Sequence, residues 1–269
     1  MNTGSLWLQE RHSGIMQRYI LPDTCFEKNK VIIQGSDARH IRKVMRMAPG
    51  DEIICCNSRQ EVFLCKLKEL TPETVEAIVT QRLMDDTELP IRVTIAQGLP
   101  KADKFDTIVQ KGTELGATAF IPFQAERSIS KWEGAEKIKR KQERLFKIAK
   151  EAAEQSHRTL VPKIFSPMTL DDLIDAGQKY DHQFVAYEEE AKNGRFRGLP
   201  ALFQRAVPGD SILAVIGPEG GLSNHEIERF ESAGFHCSGL GKRILRTETA
   251  SLYLLSAISY FFELENEVK

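Results

Sequence analysis

Two glycine-punctuated stretches near the C-terminus hold the residue types that could do chemistry: Ile216-Gly-Pro-Glu-Gly-Gly221 and Gly239-Leu-Gly-Lys-Arg-Ile-Leu-Arg-Thr-Glu-Thr-Ala-Ser251. Each follows a short apolar run and precedes a helical pattern. Each therefore reads as a strand-to-helix loop, where open α/β sheets bind ligands. Glycine lets backbone polar groups approach a ligand without a Cβ clash. The first loop is not a dinucleotide fingerprint, because Glu219 stands where its second glycine would fall. It is not a phosphate loop either, because no Lys-Ser or Lys-Thr pair closes it. A tight turn with Gly220 and Gly221 at positive φ accounts for it equally well. A second such loop at the end of a neighbouring strand would let the two enclose an adenosine-like ligand through main-chain donors and acceptors.

The second loop is dense in polar groups. Thr247 reads as the N-cap of a very apolar helix, and Glu248 is favoured near that helix's N-terminus. Capping does not account for Arg243 and Arg246, which oppose the helix dipole. A nearby anion would. Another basic cluster, Arg39, His40, Arg42, Lys43 and Arg46, is nearly one-signed. With Arg18 it makes the N-terminal region the phosphate-binding candidate. Lys137, Lys139, Arg140, Lys141, Arg144, Lys147 and Lys150 alternate with Glu133, Glu136, Glu143, Glu151 and Glu154, as on a solvated, ion-paired helix face, with contact to an RNA backbone as the alternative.

The elements that must position these residues fall into two styles. From Met16 to about Arg82 the pattern is short strands: Arg18–Leu21, Lys30–Ile33, Glu52–Cys55, Glu61–Cys65 and Thr74–Val79, with one helix from Ser36 to about Met47. This predicts a small β-barrel or sheet domain. Asp85-Asp-Thr-Glu88 with Pro90 is the expected boundary. Beyond it strands and helices alternate: Ile91–Gln97, a helix capped by Asp103 and ended by Gly116, Ala119–Ile121, and a long helix from Gly134 to Glu154. Later strands are Gln183–Tyr187, Ser211–Ile216 and Phe235–Ser238. Ser223-Asn-His-Glu226 is a capping box, and a final apolar helix runs from Thr247 to about Glu263. Its apolar surface requires burial in the domain or in a subunit interface.

Bulk composition agrees with a globular chain. Of its 269 residues 41% are hydrophobic and 28% charged. No apolar run approaches the roughly 18 residues of a membrane span. The five cysteines include no C-x-x-C pair, and the six histidines show no ligand spacing. These features predict a reducing, cytoplasmic setting and no metal. A net charge of −1 confines polyanion binding to local patches. Met1 to Ile15 reads as a disordered leader or tag.

Several segments together resemble the ribosomal small-subunit RNA methyltransferase E family, within the SPOUT class of S-adenosylmethionine-dependent enzymes. They are Gln97-Gly-Leu-Pro-Lys101, Gln110-Lys-Gly-Thr-Glu-Leu-Gly116, Glu126-Arg-Ser128, Glu151-Ala-Ala-Glu-Gln-Ser156 with Arg158, Ile216–Gly221 and Leu240–Ala250. The resemblance runs from about Met16 to the C-terminus.

It implies an α/β fold: a PUA-like RNA-binding β-barrel (16–84) followed by a SPOUT domain (85–269) with a parallel sheet and a C-terminal trefoil knot, an exception to the usual topology. It implies a homodimer that methylates N3 of a uridine in 16S rRNA, within the 30S subunit, with S-adenosyl-L-methionine as cofactor. The cofactor residues would be Tyr187, Glu188, Ile216, Gly217, Pro218, Glu219, Gly220, Gly221, Leu240, Gly241, Ile244, Leu245 and Arg246. Arg246 is the candidate to stabilise the uracil anion or to hold a nearby phosphate, with Glu219 and Glu248 as candidate bases or orienters. Arg127 and Arg158 join Arg18, Arg39, His40, Arg42, Lys43 and Arg46 as RNA contacts. A tRNA or another rRNA position as target, or a non-catalytic RNA-binding role in ribosome assembly, stays open at this point.

Overall fold

A computed structural model describes residues 16–84, 87–188 and 198–265. The expected leader and the Asp85–Asp86 part of the expected boundary lie outside the described residues. The chain divides into two compact units, Met1–Asp86 and Thr87–Lys269.

The first unit is a mixed six-stranded sheet ordered β1-β4-β5-β6-β3-β2. Its strands are β1 (Arg18–Ile20), β2 (Phe26–Glu27), β3 (Lys30–Gln34), β4 (Glu52–Cys56), β5 (Val62–Leu70) and β6 (Thr74–Leu83). Register shifts in the β5–β6 ladder at Leu64/Cys65 and Leu67/Glu69 bend it. The sheet wraps a core of Tyr19, Val31, Ile33, Ile41, Ile53, Cys55, Cys65 and Leu67. The expected Ser36 helix starts one residue earlier: α1 (Gly35–Arg39) opens after Gln34 and continues as a turn of π-helix over His40–Val44. All five cysteines are free thiols.

The second unit is a three-layer α/β/α sandwich. Its sheet is all parallel, ordered β12-β10-β11-β7-β8-β9. The strands are β7 (Arg92–Gly98), β8 (Ala119–Phe123), β9 (Lys163–Ile164), β10 (His182–Ala186), β11 (Ser211–Ile216) and β12 (His236–Ser238). The central strands are apolar on both faces, as burial beneath two helical layers requires. Ile212, Ala214 and Ile216 of β11 face one core, and Leu213 and Val215 the other.

On the first face lie α2 (Lys104–Glu114), α3 (Ala135–Gln155), α5 (Gly198–Arg205) and α7 (Thr247–Ser259); α4 (Leu170–Gly177) and α6 (Asn224–Ser232) cover the second. Gly116 ends α2 at φ +94°, a conformation that favours glycine. Ser223 and Glu226 form the expected capping box on α6. Asp103 occupies the N-cap position of α2 but makes no side-chain cap bond. No helix among the described residues is long and apolar enough to cross a membrane.

β2, β9, α4 and α5 are absent from the expected pattern. β9 is a two-residue strand, too short for alternation to register. α4 did carry a local signal, the capping box of Thr169 and Asp172.

Candidate active site

The order of the parallel strands decides which loops meet. β10 lies between β11 and β12. The two glycine-rich loops therefore follow strands that are one apart, not neighbours as expected, and the end of β10 fills the gap between them. Tyr187 stays in this row through its N–H, which donates to the Ser238 carbonyl at 3.0 Å.

The three strand ends enclose a cleft of about 400 Å³. Every cofactor candidate lines it except Gly220 and Gly241. Tyr187 and Glu188 come from the end of β10. Ile216, Gly217, Pro218, Glu219 and Gly221 follow β11, and Leu240, Ile244, Leu245 and Arg246 follow β12. Six lining residues were not among the named cofactor candidates: Lys104, Ala186, Leu222, Arg243, Thr247 and Ala250. A second recess, lined by Arg127, Tyr187, Glu188, Gly221, Leu222 and Asn224, adjoins it.

Of the two glycines expected at positive φ, only Gly221 has it, at +68°. Gly220 is constrained from outside the cleft, because a Cβ there would meet Cβ of Arg127 at 3.0 Å and its carbonyl oxygen at 3.3 Å. Arg127 also holds this loop from behind, donating from Nη1 to the carbonyls of Gly220 (3.2 Å) and Leu222 (3.1 Å). Gly98, at the end of β7, is hemmed in by the loop after β11 itself. A Cβ on it would lie 2.5 Å from both the N and Cδ of Pro218.

Thr247 is not the N-cap of the last helix. Arg246 occupies that position without a side-chain cap bond, and Thr247 is the first helical residue. Its hydroxyl donates to the Gly217 carbonyl at 2.6 Å and accepts from Gln97 Nε2 at 2.7 Å. Gln97, fully buried on β7, also accepts from the Ser251 hydroxyl at 2.5 Å. One buried amide thus joins β7, the loop after β11 and the start of α7. Such a network is costly to leave half-made, so it fixes all three in one arrangement.

Lys104, the first residue of α2, reaches Glu219 at 3.0 Å and Glu248 at 3.2 Å. The Lys101 N–H adds a bond to Glu219 at 3.1 Å. Burial pushes the Glu219 carboxyl up, but the Lys104 ammonium and the backbone N–H groups of Glu219 and Lys101 outweigh it, leaving its pKa below the usual carboxylate value. The Glu219 carboxylate in turn raises Lys104, against the smaller effect of burial, and Glu248 adds to the rise. A carboxylate so held is a poor proton acceptor, and Glu219 suits the orienting role rather than that of a base. Nearby, Glu126 Oε1 lies 2.7 Å from His225 Nδ1, and the Glu126 N–H donates to the buried Glu226 carboxylate at 2.9 Å. These bonds tie the Glu126–Ser128 segment to the start of α6.

The RNA candidates divide by exposure. Arg39, Lys43 and Arg46 are exposed, Arg46 at φ +54°. His40 is partly covered and its Nδ1 lies 3.0 Å from the Tyr19 hydroxyl, while Arg42 donates to the Pro72 carbonyl. Arg18 and Arg158 are corrections, since each side chain is 2% exposed and inaccessible to a phosphate. Arg158 binds the Glu88 carboxylate and the carbonyls of Thr113 and Ala117 instead. No group of three or more His, Cys, Asp or Glu side chains among the described residues could hold a metal ion.

Known proteins share this architecture. The RNA methyltransferase domain family matches residues 87–259, and the RNA methyltransferase PUA domain family matches residues 33–80. Ribosomal RNA small subunit methyltransferase E of Bacillus subtilis is 48% identical over 93% of this chain and 98% of its own. The protein of the same name from Synechocystis is 32% identical over 96% and 83%. The crystal structure of the Neisseria gonorrhoeae protein of that name, bound to S-adenosyl methionine, superposes with a TM-score of 0.77 at 28% identity, covering 92% of this chain and 98% of that one. With both domain types matched and nearly the full length shared, this chain belongs to the ribosomal RNA small subunit methyltransferase E family.

Proposed function

We propose that this protein transfers a methyl group from S-adenosylmethionine to N3 of one uridine in 16S rRNA of the small ribosomal subunit. The observation that carries the reading is the cleft at the ends of β10, β11 and β12 in a chain of this family. Its lining suits the cofactor. Ile216, Leu222, Leu240, Leu245 and Ala250 offer an apolar bed for a purine, beside the backbone of the loop after β11. The carboxylates of Glu188 and Glu219 suit ribose hydroxyls and a positively charged sulfur. When bound, the cofactor supplies an electrophilic methyl group on a sulfonium.

N3 of uracil lies on the pairing edge and carries a proton, so the base enters the site unpaired. The protein's part is to hold the acceptor in line with the methyl carbon and to stabilise charge that appears on the uracil oxygens. The candidate for that role, or for a neighbouring phosphate, is Arg246, and its exposure on the cleft lining supports the choice.

The segment from β12 to α7 returns from the sheet edge to the Gly217 carbonyl of the loop after β11. This course supports a knotted C-terminus. Ile244, Tyr253, Tyr260 and Leu264 stay exposed along this last segment. Apolar surface of that kind supports a homodimer whose contact lies beside the cleft.

The direct test is methyl transfer from labelled cofactor to 30S subunits lacking the modification, followed by nucleoside mass spectrometry. N3-methyluridine at one position is the expected product. Transfer to tRNA or large-subunit RNA instead would replace the substrate, and failure to bind the cofactor would remove the reaction.

For the first unit we propose that Arg39, Lys43 and Arg46 bind RNA phosphates. Arg39→Gln with Lys43→Gln is expected to lower the slope of log K against log salt by about 2, since each lost phosphate contact removes roughly one. Arg42 is left in place because it holds the Pro72 carbonyl. An unchanged slope moves the RNA surface elsewhere.

A further inference from the structure

Lys104 is an unexpected residue to find at the cleft. It stands at the first position of α2, where the helix dipole disfavours a cation. Two carboxylates from separate loops converge on it, Glu219 from the loop after β11 and Glu248 from the first turn of α7. Both lie on the cleft lining or directly beside it, and Lys104 lines the cleft itself.

Coordination of the ammonium is incomplete. A lysine ammonium has three N–H donors. The two carboxylates take one each, which leaves the third without an acceptor among the described residues, on a side chain that lines the cleft. The pair also fixes a side chain that otherwise has four rotatable bonds, so the remaining donor is aimed before any ligand arrives.

We propose that Lys104 is a catalytic residue that donates a hydrogen bond to a carbonyl oxygen beside N3 of the target uracil, with Glu219 and Glu248 as its positioning residues. The inference rests on the methyltransferase reading above. As the N3 proton leaves to solvent water, negative charge spreads from N3 onto O2 and O4. N3 then bonds to the methyl carbon while that carbon's bond to sulfur breaks, and the bonding pair stays on sulfur. The uracil is neutral again when the step is over. A fixed cation at O2 or O4 therefore favours the anion over both the starting base and the product, which is the condition for raising kcat. Its ion pairs with Glu219 and Glu248 keep Lys104 charged at neutral pH.

The test uses the full-length protein with unmethylated 30S subunits as substrate. Lys104→Gln is expected to reduce kcat by roughly 100- to 1000-fold, the loss seen when an oxyanion donor is removed. The cofactor Kd, measured by calorimetry, should change less than about threefold. The rising limb of the kcat–pH profile should move to higher pH, because N3 becomes harder to ionise. Lys104→Arg should recover part of the rate and return the limb toward its original position. Two outcomes overturn the proposal. Unchanged kcat with the same pH limb removes Lys104 from the chemistry. A cofactor Kd weakened by as much as kcat/KM assigns its free donor to the cofactor. If wild-type protein itself transfers no methyl group, the parent reading fails, and the failure is distinct from either result.

Discussion

Replacing Gly98 by alanine is expected to weaken cofactor binding by roughly two orders of magnitude while leaving the chain folded. A Cβ at this position would stand 2.5 Å from the nitrogen and Cδ of Pro218 and 2.9 Å from the Gly217 carbonyl carbon. None of these atoms can yield cheaply. The proline ring has one fixed φ, and the Gly217 carbonyl is held at 2.6 Å by Thr247. The loop after β11 must therefore move by a substantial fraction of an ångström, and a displacement of about 1 Å can cost about 100-fold at a site that depends on orientation. Calorimetric titration with S-adenosylmethionine, beside circular dichroism to verify folding, is the measurement. Gly234→Ala is the control, for Gly234 has open space around it and strains only its own backbone, at φ +88°. It should lose stability and keep its Kd. If Gly98→Ala keeps its Kd as well, the loop is not part of the binding site.

The second large effect concerns stability. Arg158→Met should destabilise the protein by about 3–5 kcal/mol, the range for breaking one side of a buried ion pair. Arg158 is 2% exposed and bonds Glu88 from two of its nitrogens and the Thr113 and Ala117 carbonyls from Nη1. Methionine fills similar space but leaves the carboxylate and both carbonyls short of a donor. Glu88 is also bound by the Thr159 N–H at 2.8 Å, so its movement would disturb the segment after α3. For a unit of roughly 150–250 residues, the loss corresponds to a Tm lower by about 10 °C. Adding Glu88→Leu should restore much of it, because the stranded charge goes too. A variant that keeps its Tm and loses RNA affinity would make Arg158 an RNA contact after all.

What could be read from the sequence was local. The Ser223–Glu226 capping box and the Gly116 helix stop each depend on residues within one turn, and both stand in the structure. The glycine-rich loops were legible as ligand loops because a strand, a glycine and a helix follow in order. Residues whose partners are remote were not. Arg158 was read as an RNA contact because its partner Glu88 lies 70 positions away. Thr247 looked like a cap because its acceptor, Gly217, is 30 positions back and reached only once the parallel strands are ordered. Lys104 gave no signal at all, since a lysine at a helix start is unremarkable until two distant carboxylates close on it. Gln97, 150 positions from Thr247, stood in a segment that carried the family resemblance, but nothing in that segment says what its amide holds.

The Gln97 network has a consequence for how the protein comes into being. A chain is made from its N-terminus, so β7 and the loop after β11 exist long before Thr247 and Ser251 leave the ribosome. Until they do, the Gly217 carbonyl has no hydroxyl to hold it, and the cleft lacks the wall from Leu240 to Ala250. The surface bearing Arg39, Lys43 and Arg46 is complete much earlier. A polypeptide released before its last helix would carry the basic surface with no chemistry behind it. Translation through the final helix is thus the step that completes the cleft.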